Sequence, residues 1–252
     1  MTGWKLRDPH EKAKYLSISS AKVYGQCPLS WKKQYLEKGG PAFVQTPAML
    51  LGSAMHEVMQ CLNKWRVQSG AFPTGDDLGL LIERGLRQLT PAQRLLHMTF
   101  SQKCLHQYLN HPVSIEQPVF VEKPFLMESG SGLMLYGIID LSTPTGVWDY
   151  KFTSSRASAT EYTPQLHLYS WAYHLITGQF PEHSGLLNFL KPTGNLQEIS
   201  ITPDPKNVGQ TLDKLEEVHA KIQERQFDPK PGSNCKQCNF ADTCEASTTP
   251  KT

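Results

Sequence analysis

The segment Trp148-Asp149-Tyr150-Lys151 sets a carboxylate and an ammonium two residues apart. Side chains alternate along a strand, so Asp149 and Lys151 project from one face. Asp140 closes the preceding apolar run Gly137-Ile138-Ile139-Asp140, and a short turn can bring its carboxylate beside that of Asp149. Two carboxylates on neighbouring strand ends make a hard-oxygen site for Mg²⁺ or Mn²⁺, ions that keep waters and bind substrate phosphate directly. The lysine can orient or deprotonate an attacking water and offset charge growing on a phosphate. A lone Asp-x-Lys is ordinary solvated strand surface, so the weight falls on what surrounds it.

A second constellation lies near the C-terminus. Cys235-x-x-Cys238-x5-Cys244 supplies three thiolates in a short loop. Tetrahedral S₄ coordination needs a fourth, for which Cys27 is the obvious donor. Iron–sulfur and zinc sites both take four thiolates, although structural zinc more often uses two close Cys-x-x-Cys pairs. Cys61 and Cys104 fall in apolar helical surroundings, where a thiol is a small buried hydrophobe.

The elements that must position these groups follow from periodicity and punctuation. Ser17, Ser19 or Ser20 can cap a helix running to about Gln26, and Pro28 can open another that carries Trp31, Lys32, Lys33 and Tyr35. From Pro47, the spacing of Met49, Leu50, Met55, Val58, Met59, Leu62 and Trp65 predicts a helix that ends before Gly70 and carries His56 and Glu57. One or two further helices cover residues 76–111. The period then changes to strand-like runs over 118–127, 133–141 and 147–152, separated by Ser-Gly-Ser-Gly and Thr-Pro-Thr-Gly turns. A helix over 161–177, a strand over 185–190, a turn at 192–195 and a returning strand to Thr202 follow. Val208, Leu212, Leu215, Val218 and Ile222 mark a last amphipathic helix, which leads through the Pro-rich stretch 227–232 to the cysteines.

Around the Asp-x-Lys pair, Gly52-Ser53-Ala54-Met55-His56 precedes and Gln165-Leu166-His167-Leu168-Tyr169 follows. The ordered set G-x-x-x-H, G-x-x-D, D-x-K and Q-x-x-x-Y resembles the RecB-type branch of the PD-(D/E)XK nucleases, including the CRISPR-associated Cas-four exonucleases. That resemblance implies His56, Asp140 and Asp149 as metal ligands, joined by the backbone carbonyl of Tyr150, with Lys151 as the catalytic lysine. It also implies that Gln165 and Tyr169, one helical turn apart, brace the site or touch the substrate backbone. The same family places one cysteine before its core and three after it around a 4Fe-4S cluster, matching Cys27, Cys235, Cys238 and Cys244. The imidazole of His56 suits Mn²⁺ better than Mg²⁺. Glu122 can add a carboxylate but reads as structural, and His97, His106, His111, His167 and His174 read as ordinary. Phe152 stands where many relatives have Thr or Ser, and Leu141 where bacterial recombination subunits often have Arg.

The implied architecture is an α/β restriction-endonuclease-like core of helix, three-strand meander, helix and strand, with a helical insertion and termini stapled by the cysteines. On this reading residues 1–252 form a single domain: 47–69 and 117–202 as the core, 70–116 as the insertion, and 16–46 and 203–245 as terminal segments. The implied reaction is hydrolysis of a DNA phosphodiester, as an exonuclease on single-stranded DNA. The other reading is a DNA-binding or scaffolding iron–sulfur module beside a helicase or a CRISPR integration complex, with little cutting.

Bulk composition agrees without deciding the matter. Of 252 residues, 39% are hydrophobic and 19% charged, with 25 Lys plus Arg against 23 Asp plus Glu. A net charge of +2 means that a polyanion must be held by a local groove and not by a global field. No apolar run approaches the roughly 18 residues of a membrane span. The opening MTGWKLRDPHEKAKY lacks the apolar stretch of a secretory signal, so the expected compartment is the reducing cytoplasm, where clustered cysteines suggest metal. The chain has no Walker-type phosphate loop and so no ATPase motor motif.

Overall fold

The computed structural model describes residues 3–11, 14–37 and 45–247. Residues 38–44 of the expected N-terminal segment lie outside them. Six strands form one mixed sheet in chain order: β1 (Lys5–Arg7), β2 (Phe120–Glu128), β3 (Met134–Ser142), β4 (Gly146–Thr153), β5 (His183–Leu190) and β6 (Asn195–Ile201). The helices are α1 (Ile18–Gln26), α2 (Pro28–Tyr35), α3 (Pro47–Ser69), α4 (Gly75–Gly85), α5 (Pro91–Leu109), α6 (Ala159–Thr177) and α7 (Pro205–Gln223). The chain groups into two compact units, one of Gln45–Phe125 and Ile138–Val208, the other of Met1–Val44, Leu126–Gly137 and Gly209–Thr252.

In the first unit, α3 begins where Thr46 accepts from the Met49 N–H and Pro47 fills the first turn, and it stops at Gly70, whose φ of 76° is left-handed. Its buried face, with Met55, Val58, Met59 and Leu62, joins a core that also holds Ile82, Leu105, Tyr150 and Phe189. Strand β4 pairs antiparallel with β3, Leu141 opposite Trp148, and parallel with β5, Asp149 opposite Leu186 and Lys151 opposite Asn188. A parallel pair needs a crossover, and α6 supplies it. Both faces of β4 and β5 are therefore covered, which explains their nearly continuous burial. Arg66 reaches from α3 to the carbonyls of Ser114 and Ile115 and lies over the Phe72 ring, closing the helical layer.

In the second unit, Ser17 and Ser20 form a reciprocal capping box at the start of α1. The Tyr24 hydroxyl donates to the Gln226 carbonyl at 2.6 Å. Trp31 stacks on Phe227, their ring centroids 6.0 Å apart, and meets the Tyr24 ring edge-on. Strand β1 pairs antiparallel with the end of β2, and Lys5 and Arg7 both face Glu128, at 2.9 and 3.7 Å. Periodicity missed this strand because three exposed residues carry no period to read.

Helices α3 and α4 approach so closely that a Cβ on Gly85 would stand 2.7 Å from the Val58 backbone. Gly85→Ala is expected to cost about 1–3 kcal/mol through overpacking. Gly79→Ala, on the same helix with open space around it, should be neutral or slightly stabilising. Urea unfolding of both variants checks the pair, and equal midpoints would contradict the packing argument.

Candidate active site

Four elements of the first unit converge on one point. His56 comes from α3, Glu122 from β2, Asp140 from β3, and Asp149 with Lys151 from β4. One ligand atom from each of His56, Glu122 and Asp140 lies within 4.8 Å of the other two. His56 Nδ1 stands 3.3 Å from Asp140 Oδ2, which also accepts the Tyr150 N–H at 2.8 Å. The Lys151 ammonium sits 2.5 Å from Asp149 Oδ2. From the first turns of α6, Gln165 Nε2 donates to Asp149 Oδ1 at 2.7 Å and to the Tyr169 hydroxyl at 2.9 Å. The helical spacing of Gln165 and Tyr169 thus places both on the face that meets β4.

The electrostatics are those of buried carboxylates crowded around one ammonium. Asp140 and Asp149 are only 6% and 2% exposed. Burial first, and then the Asp149 charge, push the Asp140 carboxyl well above the usual carboxylate range. Burial pulls Lys151 down, but Asp149 and Asp140 together outweigh it, so the ammonium is held above its ordinary value. Burial and then the Lys151 charge lower His56 to about 4, leaving the imidazole neutral near pH 7 and free to ligate. Burial raises Glu122 to about 7.

These residues fit a divalent cation. The donors are carboxylates and one imidazole, a hard-to-borderline set. Asp149 Oδ2 is fully buried and faces the Lys151 ammonium, so the ligand atoms that meet without an ammonium beside them are those of His56, Glu122 and Asp140.

Glu122 is the residue that sequence reasoning undervalued. Its φ of 51° is left-handed, a conformation costly for a side-chain-bearing residue and concentrated at functional sites. Nothing in the alternation of β2 signals that turn of the backbone. Phe152 packs edge-on to the His56 ring at 5.6 Å and stacks on Phe189 at 5.3 Å. It supports the imidazole by contact where Thr or Ser would offer a hydroxyl.

The four expected cluster cysteines lie together in the second unit. Cys27, at the junction of α1 and α2, and Cys235, Cys238 and Cys244, in two 3₁₀ turns, all line one cavity of about 230 Å³. None of the six cysteines is in a disulfide. Among the described residues, no three of the four sulfurs lie within 4.8 Å of one another. The Lys230 N–H points to Cys27 Sγ at 3.4 Å.

The family model of the PD-(D/E)XK nuclease superfamily matches residues 15–245. Among solved structures, a Eubacterium rectale protein provisionally designated an exonuclease aligns over 94% of this chain and 90% of its own, with a TM-score of 0.60 and 11% identity. That identity speaks to the fold alone. A second structure, SSO0001, is 19% identical over 88% of this chain and 96% of its own, and its TM-score of 0.40 carries no argument. No curated protein matches the chain.

The site predicts a pH dependence in metal-free protein. Glu122 rises from 4.5 to about 7 on folding, so its contribution is fully present below pH 4.5 and is lost as pH rises through about 7. The raised Asp140 acts with the same sign. Urea midpoints should therefore fall across this window, less steeply in Glu122→Gln, and added Mn²⁺ should restore them at pH 7. An identical slope in wild type and variant would remove Glu122 from the account.

Proposed function

The chain belongs to the PD-(D/E)XK nuclease superfamily, and from that premise we propose that it is a divalent-metal-dependent deoxyribonuclease of RecB type, an exonuclease on single-stranded DNA. The observation that carries the reading is the meeting of His56, Glu122 and Asp140 ligand atoms beside the Asp149–Lys151 pair. A module that only bound DNA or scaffolded a complex would have no use for it. Preference for single strands and for ends, membership of repair, recombination, phage replication or CRISPR adaptation, and helicase or integration partners rest on the motif resemblance. No described helix is long and apolar enough to cross a membrane.

His56, Asp140 and Asp149 would hold the ion, with the Tyr150 carbonyl and Glu122, and the imidazole favours Mn²⁺ over Mg²⁺. When bound, such an ion supplies Lewis acidity at a phosphoryl oxygen and makes a hydroxide nucleophile accessible near neutral pH. Lys151 keeps its proton beside Asp149 and faces the phosphate as a cation, orienting the attacking water and offsetting charge that builds in the transition state. Gln165 fixes Asp149 by holding Oδ1, so Oδ2 stays directed at Lys151. Phe152 and Tyr150 meet the His56 ring edge-on and hold its orientation.

The cysteines, on this proposal, hold a 4Fe-4S cluster that ties the N- and C-terminal segments of the second unit. Four thiols lining one cavity support it. Zinc, the alternative, also takes four thiolates, although structural zinc sites more often use two close Cys-x-x-Cys pairs than the Cys235-x-x-Cys238-x5-Cys244 spacing of this chain.

Purified protein should digest end-labelled single-stranded DNA with Mn²⁺ and leave it intact without metal. Asp149→Ala and Lys151→Ala should each lower the rate by about a hundredfold or more with circular dichroism unchanged, and near-normal cleavage by either would end the catalytic assignment. Protein prepared without oxygen should be brown with about four irons per chain. Cys27→Ala, Cys235→Ala, Cys238→Ala or Cys244→Ala should lose colour and stability, while Cys61→Ala and Cys104→Ala keep the iron. One zinc per colourless chain would replace the cluster but keep the staple.

A further inference from the structure

The second unit contains a groove of about 1090 Å³ among whose lining residues are Lys14, Tyr15, Trp31, Tyr35, Arg225 and Phe227. We propose that this groove binds a run of single-stranded DNA, its bases stacking on Tyr15 and Tyr35 and its phosphates meeting Lys14 and Arg225. The inference rests on the nuclease reading and deepens it by giving the strand a seat built by residues other than the catalytic set.

Three observations carry it. The volume exceeds the roughly 300–1,000 Å³ of small-ligand pockets, which favours a chain over a single small molecule. Two aromatic rings are left in solvent, Tyr15 at 54% and Tyr35 at 46% exposure, although rings of this size normally bury. They stand on a rigid floor: Tyr35 lies against Trp31 at 5.4 Å, Trp31 is stacked on Phe227, and Tyr15 rests on Tyr136 at 4.8 Å. Such rings lose little freedom when a base covers them.

The charge is the third. Among the described lining residues Glu37 is the one carboxylate, and it is paired with Lys32 at 3.1 Å. Lys14 and Arg225 form no ion pair among the described residues and are exposed. Aromatic faces interleaved with unpaired cations are what a single strand requires, since every base has a stacking face and every phosphate a charge. A duplex hides its base faces, so the groove selects against it.

The test is fluorescence anisotropy with a labelled oligothymidylate of about 15 nucleotides, in the absence of divalent metal so that nothing is cut. Wild type should bind it more tightly than a duplex of equal length. Tyr35→Ala and Arg225→Glu should each weaken binding about tenfold, Tyr35→Phe should bind like wild type, and Arg225→Glu should flatten the log–log salt dependence by about 0.7. Lys214→Glu, an exposed charge outside the groove, is the control and should change little. Affinity within twofold of wild type for Tyr35→Ala overturns the proposal, as does equal weakening on single and double strands. Tighter binding of oligouridylate moves the occupant to RNA and overturns the DNA assignment. If Mn²⁺-dependent digestion is present while the groove variants bind normally, the groove falls and the nuclease stands. If wild type neither binds nor digests DNA, the nuclease reading falls with it.

Discussion

Two carboxylates buried within a strand's width of each other repel, and the fold spends much of its precision on holding Asp140 and Asp149 in that relation. Register does the placing: β3 and β4 pair antiparallel with Leu141 opposite Trp148, so Asp140 and Asp149, each the next residue along and both within their strands, are brought side by side. Lys151 supplies a close ammonium, 2.5 Å from Asp149. Beneath it, Asn63 accepts from Tyr108 at 2.8 Å and donates to Tyr150 at 3.3 Å, so the strand carrying the charges is fixed from its apolar side as well. Removing one member of a buried charge set leaves the others uncompensated, a penalty of about 3–5 kcal/mol for a buried pair. Burial and mutual repulsion together push the Asp140 carboxyl well above the usual carboxylate range.

Much of this was legible in the sequence because it is local. The capping serine of α1, Pro28 and Pro47 at helix starts, Gly70 at a helix end and the alternation in β3 and β4 each depend on a few neighbouring residues. They appear in the structure within a residue or two of expectation. Asp149 and Lys151, and Gln165 and Tyr169, share a face by the arithmetic of strands and helices. Glu122 was not legible in the same way. Its place beside His56 follows from a left-handed backbone within a strand, which no pattern of hydrophobicity encodes.

The second unit shows the complementary limit. The spacing of Cys235, Cys238 and Cys244 pointed to a common site with Cys27 as fourth member, and all four do line one cavity, but sequence spacing does not say what, if anything, sits among them. The groove was invisible for a simpler reason. Tyr15, Tyr35, Arg225 and Phe227 are scattered over more than two hundred residues, and the Tyr24–Gln226 hydrogen bond that helps join those ends spans 202 positions.

That separation in sequence sets the order in which the molecule can become competent. The Asn63–Tyr150 hydrogen bond spans 87 positions, and His56 must likewise wait for β3 and β4 before it has neighbours to share an ion with. Contacts so distant form late, because the loop entropy must be overcome before they return any energy. A chain leaving the ribosome therefore carries Cys27 and His56 long before the residues that complete their surroundings, Cys235 to Cys244 for the one and β3 and β4 for the other, have been made. The candidate site is therefore the work of the finished tertiary structure, and no segment of the chain carries it alone.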